Sequence, residues 1–358
     1  MVAVAQEAPV EPNWAVIRRS PFAAIDRDTA QRWLEATIRQ LWAVGDVRQA
    51  QNLGLEFYNK IMSHYRADDA TPAFRDGLAE ILASTFSDLY RAAPDNSQPP
   101  RPLGISLVLM VLRDFGQPSA LPCFRAAMED PTAGPRFVGA EGILAIQGEL
   151  TDQQWAALVP ELQQIASRES NGVVLDRVSR ILQAGATGTR AETIAAALRA
   201  ILDARLAGFA EGNLEPQEAD GEIVDWLGER AGNADDNAVR IETAGRAGRL
   251  LVHACDTLTR FEPKPHYGQQ LEELIITTER RLEALVQSVQ PDATIPDPTV
   301  RVVMFEGGPQ RDARMESALL GWIGTPDTPG TLNAEPFNFP VGLGVTRTKA
   351  AATAPDGT

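Results

Sequence analysis

Apolar side chains recur at helical spacing through most of the chain between residues 26 and 288. Residues at i, i+3, i+4 and i+7 share one face of a helix, so such stripes mark helices with a buried side. Trp33, Leu34, Ile38, Leu41 and Trp42 form the first stripe, behind an acidic cap at Asp26 or Asp28, and Gly45 stops it after Val44. A second pattern runs from Val47 to about Ala67 and carries Leu53, Phe57, Tyr58, Ile61, Met62 and Tyr65. Thr71 precedes Pro72, the order of an N-cap and a first-turn proline. The helix that follows reaches Arg91, with Phe74, Leu78, Ile81, Leu82, Phe86 and Leu89 inward. Residues 23–91 therefore read as a helical N-terminal cap, preceded by an extended tether over 1–22 with little structure of its own.

A Pro-rich linker, Ala92 to Pro102, leads into residues 103–290. There Pro102 to Gln147 holds three short helical patterns, separated by Gly116-Gln117-Pro118 and by Asp130-Pro131-Thr132-Ala133-Gly134-Pro135. Helix, tight turn, helix and Pro-marked turn are the grammar of a helical repeat. Leu112, Ile146 and Leu182 each end an apolar run, at spacings of 34 and 36 residues. A turn and a further helix follow each run: Ala120 to Met128, Gln153 to Ile165 and Ala191 to Leu206. The alternative is an irregular helical domain with helices of similar length.

Val111-Leu112-Arg113-Asp114-Phe115-Gly116, followed by Ala120-Leu121-Pro122-Cys123-Phe124, resembles the turn and second helix of a HEAT repeat. Asp130-Pro131 with Arg136-Phe137-Val138-Gly139-Ala140 is similar to the start of the next repeat, with Arg-Phe-Val where that family usually has Val-Arg. The likeness covers about one and a half repeats. It implies an all-α, HEAT-like array of stacked helix pairs (an α-solenoid) that binds another protein on a concave surface. HEAT arrays resemble one another through packing, so no catalytic site is implied. Binding is expected on the inner helices, Pro135 to Ile146 and Val173 to Leu182, with Arg136, Phe137, Asp176, Arg177 and Arg180 as the partner-binding candidates.

Ala207 to Gly221 is acidic and Gly-punctuated, and nine acids stand against Arg230 alone between Glu211 and Asp236. Asn233-Ala234-Asp235-Asp236-Asn237 lacks the glycine and terminal glutamate of an EF-hand loop and reads as a solvated acidic loop. Two long helices follow, Asn237 to Phe261 and Pro265 to Ser288, expected to pair as an antiparallel hairpin. The first carries Ala244, Gly245, Ala247 and Gly248, small enough for a neighbouring helix to approach closely. Residues 291–358 form an irregular extension. It contains a lone β-like run at Val300 to Phe305, a short helix from Arg311 to Trp322 and a disordered tail from Arg347. Asn338-Phe339-Pro340-Val341 is a candidate docking peptide for this chain's own surface or a partner's.

Charge changes the picture of partners. The net charge of −15 opposes binding to a phosphate backbone, so nucleic acid is not expected. No run of 18 apolar residues exists, so membrane insertion is not expected. Cys123 and Cys255 sit on apolar helix faces and read as buried free thiols. Ala3-Val4-Ala5 before a polar, Pro-containing stretch resembles the end of a signal peptide, which points to a periplasmic or secreted protein, with a cytoplasmic one as the alternative.

No hydrolase elbow, zinc-protease helix, Walker loop or dinucleotide fingerprint is present, and no cofactor or metal is implied. His64, His253 and His266 lie in different helical contexts, and His253 and Cys255, two residues apart, point in different directions. The expected function is a non-enzymatic scaffold for protein–protein interaction. The alternative is an exported all-α hydrolase or lyase acting on a polysaccharide, with its carboxylates between Glu211 and Asp236.

Overall fold

The computed structural model describes residues 10–92, 101–260 and 263–340. It is all-helical, 77% helix, with no strand among the described residues. The chain divides into two compact units, residues 1–157 and 158–358. The first holds α1 (Trp14–Ile17), α2 (Ala24–Ala43), α3 (Val47–Tyr65), α4 (Pro72–Ala92), α5 (Arg101–Phe115), α6 (Leu121–Ala127) and α7 (Ala133–Ile146). The division falls within α8 (Asp152–Arg168). The second holds α9 (Gly172–Gly185), α10 (Ala191–Glu211), α11 (Glu218–Gly232), α12 (Asn237–Arg260), α13 (Pro265–Val289), α14 (Val300–Glu306) and α15 (Arg311–Ile323). The expected signal-peptide remnant at Ala3-Ala5, most of the 92–102 linker and the tail from Arg347 lie outside the described residues.

Helix starts follow local chemistry. Asp46 Oδ1 accepts from the Gln49 amide at 2.8 Å and opens α3. Thr71 Oγ1 accepts from the Phe74 amide at 3.2 Å and opens α4, with Pro72 in its first turn. Asn171 Oδ1 takes the Val173 and Val174 amides, each at 3.1 Å, and opens α9. A capping box between Gln217 and Asp220 opens α11.

In the first unit α5 is the central helix, packed on α2, α3, α4 and α7. Its Ile105, Val108, Leu109, Val111 and Leu112 are fully buried, each contributing about 1.5–3 kcal/mol through apolar burial. Helices pair with the next but one in sequence: α2 with α4, α3 with α5 and α5 with α7. In the second unit α9 with α11, α10 with α12 and α11 with α13 also pack, although its most extensive packing is between the sequence neighbours α12 and α13. The turn before α7 is built by Asp130. Its Oδ1 accepts from the Thr132 amide at 2.9 Å, and its Oδ2 from the Tyr90 hydroxyl at 2.8 Å.

A buried ion pair ties the second unit together. Arg205 on α10 and Asp220 on α11 are each 0% exposed and pair through two parallel hydrogen bonds of 2.5 and 3.0 Å. The remaining guanidinium nitrogen donates to the Glu169 and Ala166 carbonyls at 2.6 and 3.3 Å, so no charge is left unpaired.

Three expectations need correction. Residues 10–22 are not an extended tether with little structure: they carry α1 and bury Trp14, Ile17 and Phe22. Val300 to Phe305 is helix α14, not a β-like run. The β-branched residues suggested a strand, but the buried Glu279 carboxylate accepts from the Val300 and Arg301 amides at 2.8 Å each and seeds a helix there. Val300, Val303 and Met304 then face inward, while Phe305 is 73% exposed. In the acidic stretch α10 extends to Glu211 and α11 occupies residues 218–232. Gly245 has no neighbour that would meet a side chain, and what closes on Gly248 is Leu332, in a single 3-10 turn (Thr331–Asn333), and Phe339 rather than a neighbouring α-helix.

Other features are as read. Asp235 and Asp236 lie in an exposed turn, and α12 packs closely on α13. Cys123 and Cys255 are free and buried; burial pushes the Cys123 thiol up to about 11 and raises Cys255 further. Phe339 docks on this chain's own surface, its amide donating to the Leu332 carbonyl at 2.8 Å.

Candidate functional sites

Each unit has a concave feature lined mainly by side chains of two helices, and the second unit has a further cavity of about 420 Å³ bounded by α10, α11 and α12. In the first, α2 turns its buried face to α4 and α5, and α3 turns its face to α5, leaving a groove between α2 and α3. Trp33 and Leu41 from α2 and Leu53 and Phe57 from α3 form its apolar floor. Thr37, Gln40, Glu56, Asn59 and Lys60 give it a polar rim. The cavity measures about 600 Å³. Trp33 and Phe57 stack with ring centres 6.3 Å apart, and the Lys60 ammonium lies 5.5 Å from the Trp33 ring centre. The sequence stripes had placed these residues in the core. They are core residues that also line this seam, where α1 touches Trp33 through Trp14 and no long helix among the described residues lies along the groove.

In the second unit, Asp176 and Arg180 on α9 meet Glu218 and Glu222 on α11 in a cleft of about 200 Å³. Gln217 and Gln270 complete its polar lining. Asp176 accepts from Arg177 at 2.9 Å and from Arg180 at 2.8 Å, and Arg180 reaches Glu222 at 3.8 Å. Burial first, then the charge and hydrogen bond of Asp176, push the Glu222 carboxyl up to about 7; Arg180 acts against them and Glu218 with them. The Glu222 carboxyl therefore keeps its proton well above the usual carboxylate range.

The structure thus brings together three of the five sequence candidates, Asp176, Arg177 and Arg180. Glu222 joins them; sequence reading reached it only as one acid among nine. The signal was available in hindsight, because Asp176 and Glu222 sit one turn into α9 and α11, two helices of the next-but-one pairing. Arg136 and Phe137 belong to the first unit. The Arg136 guanidinium donates to the Asp130 and Pro131 carbonyls at 2.9 and 3.0 Å, which fastens the turn ahead of α7, and Phe137 is half-buried.

No cluster of three or more metal-ligating side chains occurs among the described residues. No described helix is long and apolar enough to cross a membrane. No protein-family model matches the chain, and no curated protein matches it.

Proposed function

We propose that the chain is a non-enzymatic helical scaffold, built as a HEAT-like succession of helix pairs, that holds another protein by shape. The observation that carries this reading is the α2–α3 groove, whose floor of Trp33, Leu41, Leu53 and Phe57 is apolar and whose rim is polar. That composition suits the apolar face of a partner helix, with two or three aliphatic or aromatic side chains entering between α2 and α3. The next-but-one pairing of helices in both units supports the repeat architecture, since stacked helix pairs present extended surfaces. Asp176, Arg177 and Arg180 offer polar contacts to a partner on the α9 face, where Arg180 is 53% exposed.

The Asp176–Glu222 pair favours the second reading, a polysaccharide hydrolase or lyase, because a carboxyl held near neutrality is a competent general acid. Two features weigh against it. The two carboxyls act on one another, Asp176 raising Glu222, rather than standing apart as the separate acid and nucleophile or base of a glycosidase do. The cleft is also lined without any aromatic ring on which a sugar could stack.

The test is capture from an extract of the native host with immobilised full-length protein and with Leu53→Glu, which places a charge on the groove floor. The scaffold reading expects one protein retained by the wild type and reduced by roughly tenfold or more in the variant. Equal retention by both would remove the groove from the account. Retention of no protein, with binding of an oligosaccharide lost in Glu222→Gln, would favour the enzyme.

A further inference from the structure

Residues 11–22, ahead of α2, bury Trp14 to 3% exposure. Its ring stacks on His64 of α3 at 5.9 Å and 23°, and stands edge-on to Trp33 of α2 at 5.5 Å and to Phe74 of α4 at 6.4 Å. Four residues on, Arg18 NH1 donates to His64 Nδ1 at 3.2 Å, while Arg18 NH2 donates to Asp69 at 3.1 Å. Backbone bonds complete the attachment, with the Thr71 amide donating to the Arg18 carbonyl at 2.8 Å. Glu11 pairs with Lys60 at 3.0 Å.

We propose that residues 11–22 form an acid-released strap, in which protonation of His64 lifts Trp14 and Arg18 from their seat and uncovers Trp33 and Phe74. His64 accepts from a guanidinium through Nδ1, which only a neutral imidazole can do. The charged groups around it are Arg18 and Glu11 from the strap, Lys60 from its own helix, and Asp69 from the turn before α4. α2 and α4 present the uncharged rings of Trp33 and Phe74 to the same seat. Two cations and two anions face the imidazole, and Arg19 also pairs with Asp69 at 2.5 Å. A proton on His64 adds a third positive charge, and it turns Nδ1 into a donor facing the donor of Arg18.

Burial first, then Arg18, lowers the His64 pKa below its ordinary 6.5. For a base with a depressed folded value, docking is fully supported above the ordinary value and lost as pH falls through the folded one. Two features keep the strap's attachment light. The Trp14 indole N–H is buried without a hydrogen-bond acceptor. Phe22, at the strap's end, sits at φ 54°, in the left-handed region that a bulky side chain resists. It is held there by its edge-on contact with Phe74 at 5.3 Å, over Gly77, where any side chain would collide with its ring.

Release also changes the α2–α3 groove. Trp33 is one of its walls, and Lys60, freed from Glu11, is on its rim. The strap itself rests on its own contacts, and its test needs no partner.

That test is amide hydrogen exchange of residues 11–22 in the full chain, from about pH 8 to about pH 5, corrected for the intrinsic rate. Protection should fall by roughly tenfold or more on acidification in the wild type. It should stay level in His64→Phe, which keeps a ring against Trp14 but takes no proton. A second readout in the wild type, NMR titration of the His64 imidazole, should give a midpoint that coincides with the loss of protection and lies below the ordinary histidine value. Constant protection in the wild type, a parallel fall in wild type and His64→Phe, or an imidazole midpoint unrelated to the exchange would each overturn the proposal.

Discussion

The Trp322 indole donates to the Glu279 carboxylate at 2.8 Å, joining α15 to α13 across 43 residues of sequence. The same carboxylate, fully buried, also takes the first two amides of α14. One side chain therefore orders both helices of the C-terminal extension. Glu279→Gln keeps an oxygen for the Val300 amide and the Trp322 indole, but sets an amide NH2 against the Arg301 amide and removes the charge that the α14 N-terminus favours. It should destabilise the chain by about 3 kcal/mol in urea unfolding, because charge-assisted bonds in a buried site are lost together. Trp322→Phe, which deletes one of the three donors, should cost about 1–3 kcal/mol.

The Arg205–Asp220 pair makes a sharper prediction about geometry. Asp220→Asn leaves a buried guanidinium without its counter-charge and should destabilise by about 3–5 kcal/mol. Arg205→Lys keeps the charge but loses the two-pronged fit, and it leaves the Glu169 and Ala166 carbonyls without their donor. It should recover little of the stability by thermal melting.

Close packing of α6 on α7 depends on Gly142, because a side chain there would run into the Phe124 ring. Gly142→Ala should cost about 1–3 kcal/mol through overpacking. At Gly45, past the end of α2, an added methyl meets nothing within 4 Å. Gly45→Ala should be neutral or slightly stabilising in the same denaturation series.

Glu222 gives a stability effect with a defined sign. Its folded pKa of about 7 lies above its ordinary 4.5, so the folded chain holds a proton that the unfolded chain releases first. The stabilisation is fully present below the ordinary value and is lost as pH rises through the folded one. Melting temperature should therefore decline between about pH 4.5 and about pH 7 more steeply in the wild type than in Glu222→Gln, which keeps the hydrogen bond and does not titrate. Parallel curves would show that Glu222 is not raised in the folded chain.

Particular residues show how far the sequence could be read. Thr71-Pro72 and the stripe from Trp33 to Trp42 gave the first helices almost to their ends, because caps and periodicity are local signals. Val300 to Phe305 misled because its β-branched residues express strand preference, whereas its helix is started by a carboxylate 21 residues earlier. Val300, Val303 and Met304 did carry helical spacing, over too short a span to outweigh that preference. Asp176, Arg177 and Arg180 came from a repeat resemblance, and Glu222 joined them only once α9 and α11 were packed. The groove was illegible for a different reason. Apolar stripes show which residues are buried, and they do not show whether a third helix covers the seam between two of them.

The α2–α3 groove is the centre of this account, and site-specific photo-crosslinking tests it most directly. A photoreactive residue would replace Asn59 or Gln40 on the rim, with Asp88, 68% exposed on α4, as the remote control. In extract of the native host, the account predicts that both rim positions crosslink to the same protein. The remote position should not, and the adduct should disappear with Leu53→Glu. Rim positions that capture nothing in the folded protein, or adducts indifferent to Leu53→Glu, would contradict it.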